Sequence, residues 1–298
     1  MIENPQTAAW HGKLNLIYAH RQNSTQLIYN HHQAPLKVQR AFYPEGEKVC
    51  HSVMLHTAGG VVGGDRLSSH FHLQPNTQAL ITTAAASKIY RSNGLQARQT
   101  IDIQIDAGAC LEFLPQETIL FNGADYRQDL RVELATGASF LGWEITRLGR
   151  SARGEKFLEG EWRSHTEIWQ QGVPLWIDRQ FLPGNTEIFH SPHGLFGQPI
   201  VGSLLWLGYP VSTEIIEQVR SLFTQHSALS TEHSTLYTQH SILNTQHLVG
   251  VTQLEHGLLC RYRGASTSEV RNWFTAVWQI LRTSFLNRNI CIPRVWQI

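Results

Sequence analysis

Along the first two-thirds of the chain, apolar and polar positions alternate, most cleanly in Ile101-Asp102-Ile103-Gln104-Ile105-Asp106 and Leu130-Arg131-Val132-Glu133-Leu134. Alternation with a period of two sends successive side chains to opposite faces, so each run is predicted as a β-strand with one buried face. Both runs lead through a small-residue turn into a second apolar strand. Gly108-Ala109 precedes Cys110 to Leu114, and Gly137-Ala138 precedes Ser139 to Ile145. A weaker third copy runs Phe71-His72-Leu73, Asn76-Thr77, then Ala79 to Thr83. The units recur about every 30 residues, a spacing at which one strand-turn-strand unit can stack on the next and share a continuous core. The predicted fold is mostly β, as stacked β-layers with β-helical character. An ordinary antiparallel sandwich is the alternative.

Near the C-terminus the period changes to that of a helix. Glu214 to Gln225 places Ile215, Val219, Leu222 and Phe223 on one stripe, and Glu269 to Phe285 places Val270, Phe274, Val277, Trp278 and Leu281 on another. Ser266 and Glu269 make a capping box at the start of the second helix. Pro293-Arg294-Val295-Trp296 follows as a docked tail. One domain is expected over 1–298, β-rich over 1–211 and helical over 212–298. Between the helices, Thr224-Gln225-His226-Ser227 returns as Thr231-Glu232-His233-Ser234, Thr238-Gln239-His240-Ser241 and Thr245-Gln246-His247. On a helix these histidines would line one side and invite nickel. The Ser/Thr content is poor for helix, however, and the DNA heptamer ACTCAGC, repeated and read as codons, spells Thr224 to Ser230. The preferred reading of 225–247 is an expanded DNA repeat inserted in a surface loop, where insertions cost little.

With 298 residues, 42% hydrophobic and 16% charged, the chain can bury a substantial core. A net charge of +1 without any Lys/Arg block argues against nucleic acid or an anionic membrane as partner. The N-terminal residues lack a basic segment followed by an apolar one, and no apolar run approaches the ~18 residues of a membrane span. A cytoplasmic protein is expected. The four cysteines form no C-x-x-C, so neither a zinc site nor a disulfide framework is signalled. Nine tryptophans suggest apolar surface for protein partners to cover.

Gly59-Gly60-Val61-Val62-Gly63-Gly64-Asp65-Arg66 contains neither phosphate-loop pattern, so nucleotide binding is unsupported. Its glycines bring Asp65 out of a tight turn, as a capping residue or a functional one. Thr82 to Ser92 clusters hydroxyls around Ser87 and Lys88, which diverge as neighbours and make no dyad. Glu112 and Glu117 offer two carboxylates for the general acid and base of a β-helical carbohydrate-active hydrolase. Glu112 alternates with Leu111 and Phe113 and reads as a solvated strand face, whereas Glu117 follows Pro115 and stays open. Glu144 is the most anomalous carboxylate, because it shares a face with Phe140 and Gly142. A charge there needs an arginine, such as Arg147 or Arg150, or an internal watery passage. Asp178, beside Arg179, is ambiguous in the same way. Outside the repeat, His31-His32 and His190 with His193 can hold a metal transiently, although solvated loop histidines are commoner.

Together LHTAGGVVGGDRL (55–67), TTAAASKIYRS (82–92), LEFLPQETILFNGADY (111–126), GWEITRLGR (142–150) and PRVW (293–296) resemble the urease accessory protein D family, UreD or UreH. Thr57-Ala58, Thr283 and the histidine repeat depart from its pattern. The resemblance implies a nonenzymatic scaffold that joins accessory protein F and the GTPase G, binds apo-urease subunits and assists nickel insertion. No tightly bound cofactor is implied, only transient nickel(II). Such a carrier needs weak, exchangeable oxygen contacts. Asp65, Thr83, Glu117, Glu144 and Asp178 are the candidate passage residues. A hydrolase and a histidine-repeat metal store are the rival functions.

Overall fold

The computed structural model of the protein describes residues 9–150, 153–232 and 248–297, with the backbone alone over 223–232. In chain order its strands are β1 (His11–Arg21), β2 (Ser24–Gln33), β3 (Leu36–Val38), β4 (Cys50–His56), β5 (Arg66–Leu73), β6 (Gln78–Thr83), β7 (Ser87–Ile89), β8 (Ala97–Ile105), β9 (Cys110–Leu114), β10 (Thr118–Leu120), β11 (Asp125–Leu134), β12 (Ser139–Leu148), β13 (Glu161–Gln170), β14 (Val173–Pro183), β15 (Ile200–Leu207), β16 (Leu248–Leu254) and β17 (Gly257–Gly264). The helices are α1 (Thr186–His190), α2 (Thr213–Glu232) and α3 (Thr267–Leu281). No helix among the described residues is long and apolar enough to cross a membrane.

The strands form two sheets, ordered β14-β13-β11-β8-β5-β1-β2 and β16-β17-β15-β12-β9-β6-β4-β3. The centre of each is parallel, through β1, β5, β8, β11 and β13 in the first sheet and β4, β6, β9 and β12 in the second. Antiparallel neighbours extend both margins. The chain crosses from one sheet to the other at every strand-turn-strand unit, so each unit is one coil of a solenoid. The coils stack in register: Leu73 lies beside Ile105 and Ile105 beside Leu134, while Gln78 lies beside Cys110 and Cys110 beside Ser139. Their turns stack as well, with Asn76 N–H donating to Ala107 O and Gly108 N–H to Gly137 O. Asn76, Gly108 and Gly137 have φ of 64, 70 and 77°, a left-handed corner that suits glycine and, among other residues, asparagine. The stacked layers anticipated from the 30-residue recurrence are therefore present, and the all-antiparallel alternative is not.

Two apolar cores result. One lies between the sheets and includes Phe71, Ile103, Leu111, Val132 and Phe140. The other lies on the outer face of the second sheet, where Leu141, Trp143, Ile145 and Trp206 pack against Val270, Phe274, Val277 and Trp278 of α3 and Ile216 and Val219 of α2. The second core takes up several of the tryptophans, and the exposed apolar side chains are mostly others, such as Leu95, Val173 and Phe181. Trp206, Trp273 and Trp278 are fully buried, and Trp10, at 47%, is the tryptophan left exposed.

Ser266 caps α3 by accepting from Glu269 N–H at 3.2 Å, while the Glu269 carboxylate accepts from Tyr262 O–H. The helix ends at Leu281 and runs into a π-helical turn, Arg282–Leu286. The PRVW tail docks as expected. Trp296 Nε1–H donates to Thr82 Oγ1 at 3.0 Å, and its ring lies 5.3 Å from that of Trp143. Helix α2 corrects the loop reading of the histidine repeat in part, since it continues past Gln225 to Glu232. A seven-residue unit is close to two helical turns, so the repeat need not interrupt the backbone. The remaining repeat residues, 233–247, lie outside the described residues.

Candidate functional site

The inward face of the first sheet is not uniformly apolar. On β8 it carries Ala97, Gln99, Ile101 and Ile103, on β11 Tyr126, Gln128, Leu130 and Val132, and on β13 Trp162, Ser164, Thr166 and Ile168. Strand register sets Gln99, Gln128, Ser164 and Gln180 side by side across β8, β11, β13 and β14. The adjacent row ends in Thr166 and Asp178. With strands ~4.8 Å apart, the first row extends roughly 14 Å along the solenoid axis. Polar groups inside a core are costly without partners or water.

They face a cavity of about 70 Å³, lined among others by Gln99, Gln128, Glu144, Thr166, Asp178 and Ser203. That is room for a few waters. Met54, Thr83, Ser87 and Gln99 also line a second cavity of about 460 Å³, which extends to His56, Gly60 and Lys88. The two share these four residues and make one track between the sheets, from the glycine-rich loop towards β14 and β17, in which the polar groups are set among largely apolar walls; we term it the polar track.

The second sheet contributes Glu144, Ser203 and Arg261, in register across β12, β15 and β17. Glu144 bridges the sheets by accepting from Ser164 Oγ at 2.8 Å, and it accepts from Thr146 Oγ1 at 3.3 Å. Burial raises its pKa, the Ser164 hydrogen bond opposes that, and the charge of Asp178 adds to the rise. Asp178 pairs with Arg261 at 2.8 Å and accepts from Gln180 Nε2 at 2.8 Å. Arg261 also donates to Ser203 Oγ at 3.2 Å. Glu144 lines the cavity and pairs with neither Arg147 nor Arg150; Arg150 binds Glu155 instead.

Of the five residues singled out in the sequence, the fold brings Thr83, Glu144 and Asp178 to this track and sets two apart. Asp65 is fully buried as a cap: its Oδ1 accepts from Trp10 N–H and its Oδ2 from Val62 N–H, each at 2.9 Å, which ties β1 to the glycine-rich turn. Glu117 forms an ion pair with Arg271 of α3. The solvated reading of Glu112 is wrong. At 2% exposure it faces α3, where Trp278 Nε1–H donates to Oε1 at 2.5 Å and Arg282 binds both carboxylate oxygens at 2.7 and 2.8 Å. Its strand face is covered by the helical layer instead of water.

Gln99, Gln128, Ser164, Ser203 and Arg261 escaped the sequence reading. The signal for the first three was present, because each is a polar residue at the inward parity of a strand. Among the described residues no group of three or more His, Cys, Asp or Glu is placed to hold a metal. The polar groups on the track are two carboxylates, hydroxyls and amides among apolar neighbours, and their oxygens are hard donors.

Comparison with known proteins agrees with the resemblance in the sequence. The family model described as UreD urease accessory protein matches residues 11–297. A urease accessory protein UreD of Nostoc sp. is 77% identical over 97% of this chain and 96% of its own length. The urease accessory protein UreD of Nostoc punctiforme is 73% identical over 100% of both chains. That of Methylobacillus flagellatus is 38% identical over 98% of each. The chain belongs to the UreD family of urease accessory proteins, and its place is in urease maturation.

Proposed function

We propose that the protein is a nonenzymatic scaffold that links apo-urease to accessory proteins F and G and passes nickel(II), as cargo, along the polar track. The observation that carries this reading is the row Gln99-Gln128-Ser164-Gln180, with Asp178 in the next row of the same sheet, facing Glu144 of the other sheet inside the solenoid. Glu144 is desolvated and held only by hydroxyl donors. A dication arriving there displaces the proton that burial favours on Glu144, yet hydroxyls and amides bind it weakly enough to release it. Thr83 and Ser87 lie where the two cavities join. Asp65 and Glu117 hold the walls through a backbone cap and a helix contact, and on this reading they do not touch the cargo.

The chain has no phosphate loop, so any GTP chemistry belongs to G. The hydrolase alternative loses its carboxylate pair, since Glu112 and Glu117 are both committed to arginines beneath the helical layer. The reading places the protein in the cytoplasm with its partners. The test is copurification with F, G and apo-urease subunits, with metal analysis of each fraction. The expected result is one complex through which nickel reaches urease only when this chain is present. Urease activation by a chain that joins none of these proteins would overturn it.

A further inference from the structure

We propose that Arg261 is the gate of the polar track, a tethered cation that occupies the Asp178 carboxylate and gives way to the dication in transit. The inference rests on the nickel-passage reading and names how that passage is controlled.

Arg261 stands where the solenoid stops being closed by parallel coils. It projects from β17 of the second sheet to Asp178 on β14 of the first, and the 2.8 Å pair bridges the two sheets. The side chain is 37% exposed and that of Asp178 17%, so the guanidinium reaches solvent while the carboxylate faces the cavity. An ion pair with one half-exposed member is weak and easily exchanged. The guanidinium carbon lies 6.0 Å from the centre of the Trp176 ring, which offers a face on which a displaced arginine can rest.

The charge arrangement gives the gate its selectivity. Glu144, Ser203 and Arg261 follow one another in register, and the Glu144 carboxylate feels both the repulsion of Asp178 and the attraction of Arg261. Asp178 therefore holds the guanidinium directly, while Glu144 feels it only through space. A monovalent ion that replaces Arg261 leaves the same net charge and gains little. A dication satisfies both carboxylates and has reason to displace the arginine. Arg282 shows the alternative design. It is fully buried, and its donors are taken by two carboxylates and the Asn289 carbonyl, an arrangement built to stay.

The test uses the complex with F, G and apo-urease, loaded with nickel(II) alone and passed through gel filtration. Removing the competing guanidinium in Arg261→Gln should raise the nickel retained about three-fold and slow its transfer to urease. Arg261→Lys should behave as the native complex, and Arg261→Gln combined with Asp178→Asn should return retention to the native value. Native-like retention and transfer in Arg261→Gln would overturn the gate. So would a loss of complex stability with less nickel retained, the signature of a structural clamp. Glu144→Gln separates the two levels: transfer lost there with Arg261→Gln neutral sinks the gate alone, whereas transfer intact in Glu144→Gln sinks the passage and the gate with it.

Discussion

Glu112 and Glu144 lie on neighbouring strands of one sheet, and both are removed from bulk water, but they face opposite layers and are met by different partners. Glu112 looks outward to the helices and finds a guanidinium and an indole N–H. Glu144 looks inward to the cavity and finds two hydroxyls. Around Glu112 the pairing extends further. Arg282 also binds both oxygens of Glu45 at 2.9 Å, and Glu45 contacts His51 Nε2 at 2.6 Å. A carboxylate that holds two layers together is bonded directly to a guanidinium, whereas one met by neutral donors is open to an arriving cation. The difference separates the structural half of the molecule from the half proposed to carry cargo.

The comparison breaks most severely at Arg282. Arg282→Ala leaves Glu112 buried without its cation, at a cost of about 3–5 kcal/mol. The expected outcome is loss of soluble chain or a large fall in the thermal midpoint, measurable by circular dichroism with and without accessory protein F. The next largest effect comes from acid. Burial alone would raise the Glu45 pKa, but hydrogen bonds from His51 and Arg282 outweigh it and hold the carboxyl at about 2. A depressed carboxyl stabilises the fold fully above its unfolded value near 4.5, and that stability drains as pH falls from there towards 2. Denaturant midpoints measured downward from pH 6 should therefore fall below pH 4.5, and Glu45→Gln should flatten the decline.

Smaller again is the effect at Asp65. Asp65→Ala strips the acceptor from two backbone N–H groups and should cost about 1–3 kcal/mol, read by chemical denaturation, while nickel transfer per folded molecule stays near native. The smallest effect on stability is expected at Glu144. Its raised pKa means that the folded state favours the protonated form, so its contribution falls as pH rises through the folded value. Glu144→Gln keeps the shape without the charge and should be neutral to slightly stabilising at pH 7.5. An unfolded Glu144→Gln variant would make Glu144 a structural residue like Glu112.

The solenoid was legible in the chain because period-two alternation and small-residue turns are local signals, and Asn76, Gly108 and Gly137 mark one corner in each copy. Alternation tells which residues share a face, not what covers it. That is why Glu112 read as solvated, and why its clamp was invisible: Arg282 lies 170 residues from Glu112 and 237 from Glu45. Glu144 was found because Phe140 and Gly142 made its face incongruous. Gln99 and Gln128 obey the same logic on neighbouring strands, and only stacked register reveals that they form one row with Ser164 and Gln180. The pairing of Asp178 with Arg261 joins different sheets and left no trace in local spacing.

The most direct test of the account is the nickel content of urease matured at limiting nickel with Glu144→Gln in place of the native chain, alongside copurification of the complex. The account expects the complex to assemble in full and urease to emerge depleted of nickel, with excess nickel restoring part of the loss. Full nickel loading of urease by the Glu144→Gln complex at limiting metal would contradict it.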